Sequence, residues 1–145
     1  MVCNSVQETK QFASSISKNF FEGQVIALNG DLGSGKTTFS QGIAEGLGIE
    51  QQVGSPTFKL VSEYSGSVLR LYHVDCYRLK NADEFLNLGG ENLLLPDNGI
   101  TLIEWATIIQ ELLPEDVIEV FFSRFKDEPN KRLIEIRGMD KTDEE

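Results

Sequence analysis

Two cysteines, no long apolar run and a shortage of positive charge narrow the field before any motif is considered. Cys3 and Cys76 form no disulfide framework and sit in no metal-ligand spacing, so reduced thiols in the cytosol are the expectation. No apolar run reaches the roughly 18 residues a membrane helix needs. The opening Met1-Val2-Cys3-Asn4-Ser5 lacks a basic region followed by an apolar one, so no secretory signal is expected either. Thirteen basic residues face 23 acidic ones, a net charge of −10. The stretch from Asp140 to Glu145 holds four acids and one lysine, so −3 of that charge lies in an acidic tail (139–145) expected to be disordered. The remaining −7 still repels a phosphate backbone, which argues against direct nucleic-acid binding and for a basic protein partner.

What is present is more specific. Gly30-Asp31-Leu32-Gly33-Ser34-Gly35-Lys36-Thr37 matches G-x-x-x-x-G-K-[ST] in full. Gly30 and Gly35 free the backbone to take φ > 0 and to approach an anion closely. Lys36 reaches β- and γ-phosphates as a point charge, and the Thr37 hydroxyl suits a Mg²⁺ bridging the same oxygens. A helix starting near Lys36 would aim its unpaired N–H groups and positive dipole end at those phosphates. The context agrees. Gln24 to Asn29 is a short, mostly apolar run suited to a buried parallel strand. Thr38 to Leu47 places Phe39, Ile43, Ala44 and Leu47 at helical spacing, with Gly46 and Gly48 as stop signals. Strand, glycine-rich turn and helix together make this a nucleoside triphosphate site.

At 145 residues and 40% hydrophobic, the chain has room for one good core, and a single P-loop domain over 1–138 is expected. Residues 5 to 21 read as a helix, opened by a Ser5/Glu8 capping box and striped by Val6, Ala13, Ile16 and Phe20. Residues 58–64 and 68–75 flank Ser65-Gly66-Ser67 as a hairpin. Residues 81–95 read as a helix interrupted at Gly89-Gly90, Ile100 to Glu104 as a buried strand, and 106–113 as a short helix stopped by Pro114. Two further strands, 117–122 and 133–136, surround a charged turn including Asp127-Glu128-Pro129-Asn130. The expected fold is a three-layer α/β P-loop domain with a mixed, mostly parallel central sheet.

A P-loop site needs acidic groups at the ends of neighbouring strands. Asp75 and Glu104 both follow strand runs, and either or both could hold Mg²⁺ or orient the attacking water. Thr57, after Pro56, lies in a loop of the kind that covers a γ-phosphate, and reads equally as an ordinary turn threonine. His73 shares a strand face with Asp75 and reads as a packed strand histidine sooner than as a catalytic base. Trp105 reads as a core anchor or as a wall of the site, and Arg78 and Arg132 as phosphate neutralisers or ordinary surface residues.

Four segments together resemble one family, the bacterial TsaE (YjeE) proteins: Gly30–Thr38, Ser55–Tyr64 (beginning Ser-Pro-Thr-Phe), His73–Leu79 (His-Val-Asp-Cys-Tyr-Arg-Leu) and Leu102-Ile103-Glu104-Trp105. The resemblance runs from about residue 5 to residue 137. It implies a cytoplasmic ATPase needed for threonylcarbamoyladenosine formation in tRNA, at the adenosine next to the anticodon. The transfer itself would belong to TsaD in complex with TsaB, with tRNA met only through that complex. It implies ATP contacts from Thr9, Asp31, Leu32, Gly33, Ser34, Gly35, Lys36, Thr37, Thr38, Asp75 and Arg132, and Mg²⁺ held by Thr37 and Glu104. Lys36, Asp75 and Glu104 would carry catalysis, and Ser55, Thr57, His73 and Trp105 would be switch-like. Cys76 stands where the family usually has leucine, and the stretch after Trp105 lacks a common proline.

Other classes remain in view. A small-molecule kinase would want an arginine-rich lid, and the segment from Asn81 to Gly99 has no arginine. A GTPase would want Asn-Lys-x-Asp, and Asn130-Lys131-Arg132-Leu133 lacks the aspartate. A nucleotide-gated binding module without required hydrolysis would carry the same site.

Overall fold

The computed structural model describes residues 1–31, 33–54 and 60–139. Its strands are β1 (Val2–Cys3), β2 (Val25–Asn29), β3 (Val61–Tyr64), β4 (Arg70–Asp75), β5 (Gly99–Glu104), β6 (Ile118–Phe125) and β7 (Glu128–Arg137). They form one sheet in the order β1-β7-β6-β2-β5-β4-β3. The central four, β6, β2, β5 and β4, are mutually parallel. β3 and β7 pair antiparallel to β4 and β6, and β1 antiparallel to β7, so β1 runs with the central four. The sheet is therefore mixed and mostly parallel, as expected.

Two helices, α1 (Val6–Ser17) and α2 (Lys36–Gly46), cover one face, while α3 (Ala82–Asn87) and two 3₁₀ segments, Gly90–Leu94 and Ala106–Leu112, cover the other. β2 shows why the middle strand reads as continuously apolar. Its Ile26 and Leu28 join Phe39, Ile43 and Leu47 in one cluster, and its Val25 and Ala27 join Phe85, Ile103 and Ile109 in the other. Of the tail expected over 139–145, Met139 packs against the first cluster, and residues 140–145 lie outside the described residues.

Local signals set the helix starts. Ser5 Oγ accepts from Glu8 N at 3.1 Å, one half of the capping box. The reciprocal Glu8 carboxylate accepts from Asn4 N at 3.2 Å, one residue earlier than the box prescribes. α1 and α2 lie in unusually close contact. A Cβ on Gly42 would sit 2.5 Å from the Lys10 carbonyl oxygen, and one on Gly46 would sit 2.7 Å from that of Ser14. Gly46 is thus a packing residue as well as a stop, and the left-handed terminator is Gly48, with φ of +77°.

The short helix expected after Trp105 is 3₁₀ in form, broken at Ile109 (φ −114°, ψ 25°). One expectation needs correction. The turn before β7 shrinks to Lys126-Asp127, because Glu128, Pro129 and Asn130 already belong to β7. Pro129 is tolerated there because the β6–β7 register shifts at Arg124/Phe125, and β1 pairs with β7 only at Arg132 and Leu133. β1 itself is too short for any alternation to announce it. Of the predicted hairpin, β3 and β4 pair from Val61↔Val74 to Tyr64↔Leu71, and residues 58 and 59 lie outside the described residues.

Candidate functional site

The glycine-rich loop leaves the C-terminal end of β2 and delivers the chain into α2. Gly35 is the residue before the helix and takes φ of +107°, which a side chain would resist. Gly30 needs its glycine for space rather than for φ, since a Cβ there would meet Ser34 Oγ at 2.6 Å and Phe122 Cβ at 3.0 Å. The Lys36 ammonium donates to the Gly30 carbonyl at 2.8 Å and lies 4.2 Å above the Trp105 ring. Burial pushes its pKa below the ordinary lysine value, opposed by the negative charges of Glu104, Asp75 and Asp31. Arg132 reaches from β7 and clips the loop in place. Its Nε donates to the Ser34 carbonyl at 2.9 Å and its Nη2 to that of Gly33 at 3.1 Å.

Sheet register brings the carboxylates to this loop. Leu28, Glu104 and Asp75 lie side by side across β2, β5 and β4, so both acids stand in the row from which the P-loop departs. Glu104 is only 4% exposed. Its Oε2 accepts from His73 Nε2 at 2.7 Å, and His73 is wholly buried. Asp75 accepts from Tyr77 N at 2.9 Å. Burial raises the Asp75 pKa; the Tyr77 N–H pulls against this, and the neighbouring Glu104 charge adds to it.

Trp105 is a wall of the site that also packs on the second cluster, rather than a simple core anchor. It has φ of 59° and ψ of 40°, a left-handed conformation that is strained for a bulky residue, fixed by the Tyr77 ring 5.0 Å away and by Lys36. With Leu28, Asn29, Gly30, Asp31, Lys36 and Thr107 it lines a cavity of about 210 Å³. Thr37 and Thr38 sit half-buried in the first turn of α2. Thr9 is buried on α1, its hydroxyl donating to the Ser5 carbonyl at 3.3 Å. Leu32, Ser55 and Thr57 lie outside the described residues.

The donors near Lys36 are all hard oxygens, from the Thr37 hydroxyl and the two carboxylates, which suits Mg²⁺ completed by phosphate oxygens and water. Among the described residues no group of three or more His, Cys, Asp or Glu forms a metal cage, and a P-loop cation, held partly by its substrate, needs none. Sequence reasoning missed the Gly30 carbonyl as the anchor of Lys36, Tyr77 as the partner of Trp105, and Arg132 as the loop's clip. All three residues fell within motifs or candidates already singled out; their contacts did not, because those contacts depend on the fold.

The profile of the family described as "Threonylcarbamoyl adenosine biosynthesis protein TsaE" matches residues 3–134. The tRNA threonylcarbamoyladenosine biosynthesis protein TsaE of Bacillus subtilis (strain 168) is 43% identical over 122 residues, covering 84% of this chain and 75% of that one. The protein of the same name from Rickettsia bellii is 40% identical over 136 residues, covering 93% and 92%. The crystal structure of Bacillus subtilis YdiB superposes with a TM-score of 0.73 at 37% identity, covering 92% of this chain and 80% of that one. With its P-loop and strand-end carboxylates assembled on that fold, the chain belongs to the TsaE family.

Proposed function

We propose that this chain is a Mg²⁺-dependent ATPase that supports threonylcarbamoylation of tRNA at the adenosine next to the anticodon, acting through a TsaB–TsaD pair. The observation that carries the reading is the placement of Lys36 and the start of α2 against the row of the buried Glu104 and the partly buried Asp75. That is the arrangement phosphoryl-transfer chemistry requires. The family's place in threonylcarbamoyladenosine biosynthesis supplies the process.

In this reading the N–H groups of Gly33, Ser34 and Gly35 and the first turn of α2 bind the phosphates. Lys36 exchanges the Gly30 carbonyl for phosphate oxygens, a short movement for a flexible side chain. Thr37 and Glu104 hold Mg²⁺, which would neutralise charge developing on the phosphates. Asp75, whose carboxylate burial makes more basic than an exposed one, is suited to orient the attacking water and accept a proton from it. Thr9 and Arg132 contact ATP at the edge of the loop, while Ser55, Thr57, His73 and Trp105 respond to hydrolysis. An acidic chain with this site meets tRNA through its protein partners.

The test is ATP hydrolysis by the purified chain, alone and with TsaB and TsaD, with Lys36→Ala as control. Slow turnover that rises with the partners and is lost in the control is the expected result. Unchanged turnover in Lys36→Ala would remove the P-loop assignment, and turnover indifferent to the pair would remove the partner assignment.

A further inference from the structure

We infer that His73 is a positioning residue for Glu104, holding one carboxylate oxygen so that the other faces the cation and Lys36 stays available for phosphate. The inference rests on the site reading above. Its starting point is a buried polar pair set beside fully buried apolar side chains. His73 lies one row behind Asp75 and Glu104, level with Leu102, while Leu71 and Ile100 fill the next row down. Its Nε2–H donates to Glu104 Oε2 at 2.7 Å, with both side chains at least 95% buried. Its Nδ1 is buried without a partner among the described residues.

Such a pair is a poor stabiliser. A buried ring nitrogen without a partner gives up its hydration and gains no bond in return. Apolar side chains, like those one row below, serve folding at least as well as a buried polar pair of this kind. The gain lies in direction. Glu104 is the charge that Lys36 feels most strongly. A carboxylate free to rotate would close on that ammonium and tie up both groups. Engaging Oε2 from behind would leave Oε1 free to face the cation, in the way outer partners orient metal ligands.

The two ring nitrogens make the test sharp. The amide nitrogen of glutamine overlays Nε2, the nitrogen with a partner, whereas that of asparagine overlays Nδ1, the nitrogen without one. Mn²⁺ affinity is measured by electron paramagnetic resonance on the full chain with adenylyl imidodiphosphate, for wild type, His73→Gln, His73→Asn and Glu104→Ala. The expected result is about 10-fold or greater weakening in His73→Asn and Glu104→Ala, with His73→Gln within about threefold of wild type. Nucleotide binding in EDTA should differ little among the histidine variants.

Equal weakening in Gln and Asn, or none in either, overturns the positioning role while leaving the Glu104 assignment intact. Unchanged Mn²⁺ affinity in Glu104→Ala overturns both. Should the variants fail to fold, the wild type still decides, because His73 is the only histidine in the chain. Its imidazole ¹⁵N spectrum should place the proton on Nε2, with and without Mg²⁺ and the nucleotide analogue. A proton on Nδ1 alone would overturn the inference.

Discussion

The face of the sheet beneath α1 and α2 has two ends that obey different rules. Away from the P-loop it is packed with Ile26, Leu71, Ile100 and Leu102 against Ile43 and Leu47, all fully buried hydrocarbon. Toward the P-loop the same burial encloses Lys36, Ser40, His73 and Glu104. The alternation of strand side chains does not change between the two ends; the chemistry at the buried positions does. Burial is therefore spent on stability at one end and on holding charge in a low-dielectric site at the other. If this division is real, substitutions at the apolar end should move stability and spare turnover, and those at the polar end should do the reverse.

The largest expected effect is at the apolar end. Ile43→Ala removes a wholly buried side chain from the middle of α2 while keeping a good helix former. Urea unfolding should show a loss of about 2–5 kcal/mol. ATP turnover of the folded fraction at low temperature should stay within about threefold, since a distant cavity leaves the phosphate site intact. A large fall in turnover per folded molecule would show that the two ends are coupled through α2.

Glu104→Gln attacks the other end. Glutamine keeps an oxygen that can accept from His73 and so removes charge without emptying the pocket. Turnover should fall by about 100-fold, whereas stability should change by no more than about 1 kcal/mol. If urea unfolding instead shows a loss as large as that of Ile43→Ala, Glu104 is a structural residue.

How much of this division was legible in the sequence depended on distance along the chain. The P-loop is contiguous, and its strand and helix are its immediate neighbours, so Gly30 to Thr37 declared themselves. Asp75 and Glu104 could be named as strand-end acids, but nothing local says that β4 pairs directly with β5 and puts them in one row. His73 and Glu104 are 31 residues apart, and their bond exists only because of that strand order. Arg132 reaches Ser34 across 98 residues for the same reason. Gly46 misled in an instructive way. A glycine at a helix end reads as a stop, yet its lack of a side chain also lets α1 approach, and that approach is a tertiary fact.

Gly46→Ala tests that last point with a smaller effect. Helix propensity alone would favour alanine by up to about 1 kcal/mol. The new methyl would press on the Ser14 carbonyl and the Ser17 side chain, and overpacking of this kind costs about 1–3 kcal/mol. A net loss of stability with unchanged turnover is expected. A gain would mean that α1 shifts freely and that the helix contact is looser than the glycine spacing indicates.

Asp75→Asn should produce the smallest change, and one of opposite sign. The folded state holds the Asp75 carboxyl above its ordinary value of 3.8, chiefly through burial. Between 3.8 and the folded value the native chain binds more protons than the unfolded one, so wild-type stability falls as pH rises through that window. Asparagine removes this loss while keeping an oxygen to accept from Tyr77 N. In metal-free buffer the variant should match wild type below pH 3.8, pull ahead through the window and hold a constant advantage at neutral pH. Its ATP turnover should nevertheless drop, because a group held at a cost to the fold is being used. A variant less stable than wild type at neutral pH would show that the Lys36 charge outweighs burial at Asp75, and that the polar end supports the fold after all.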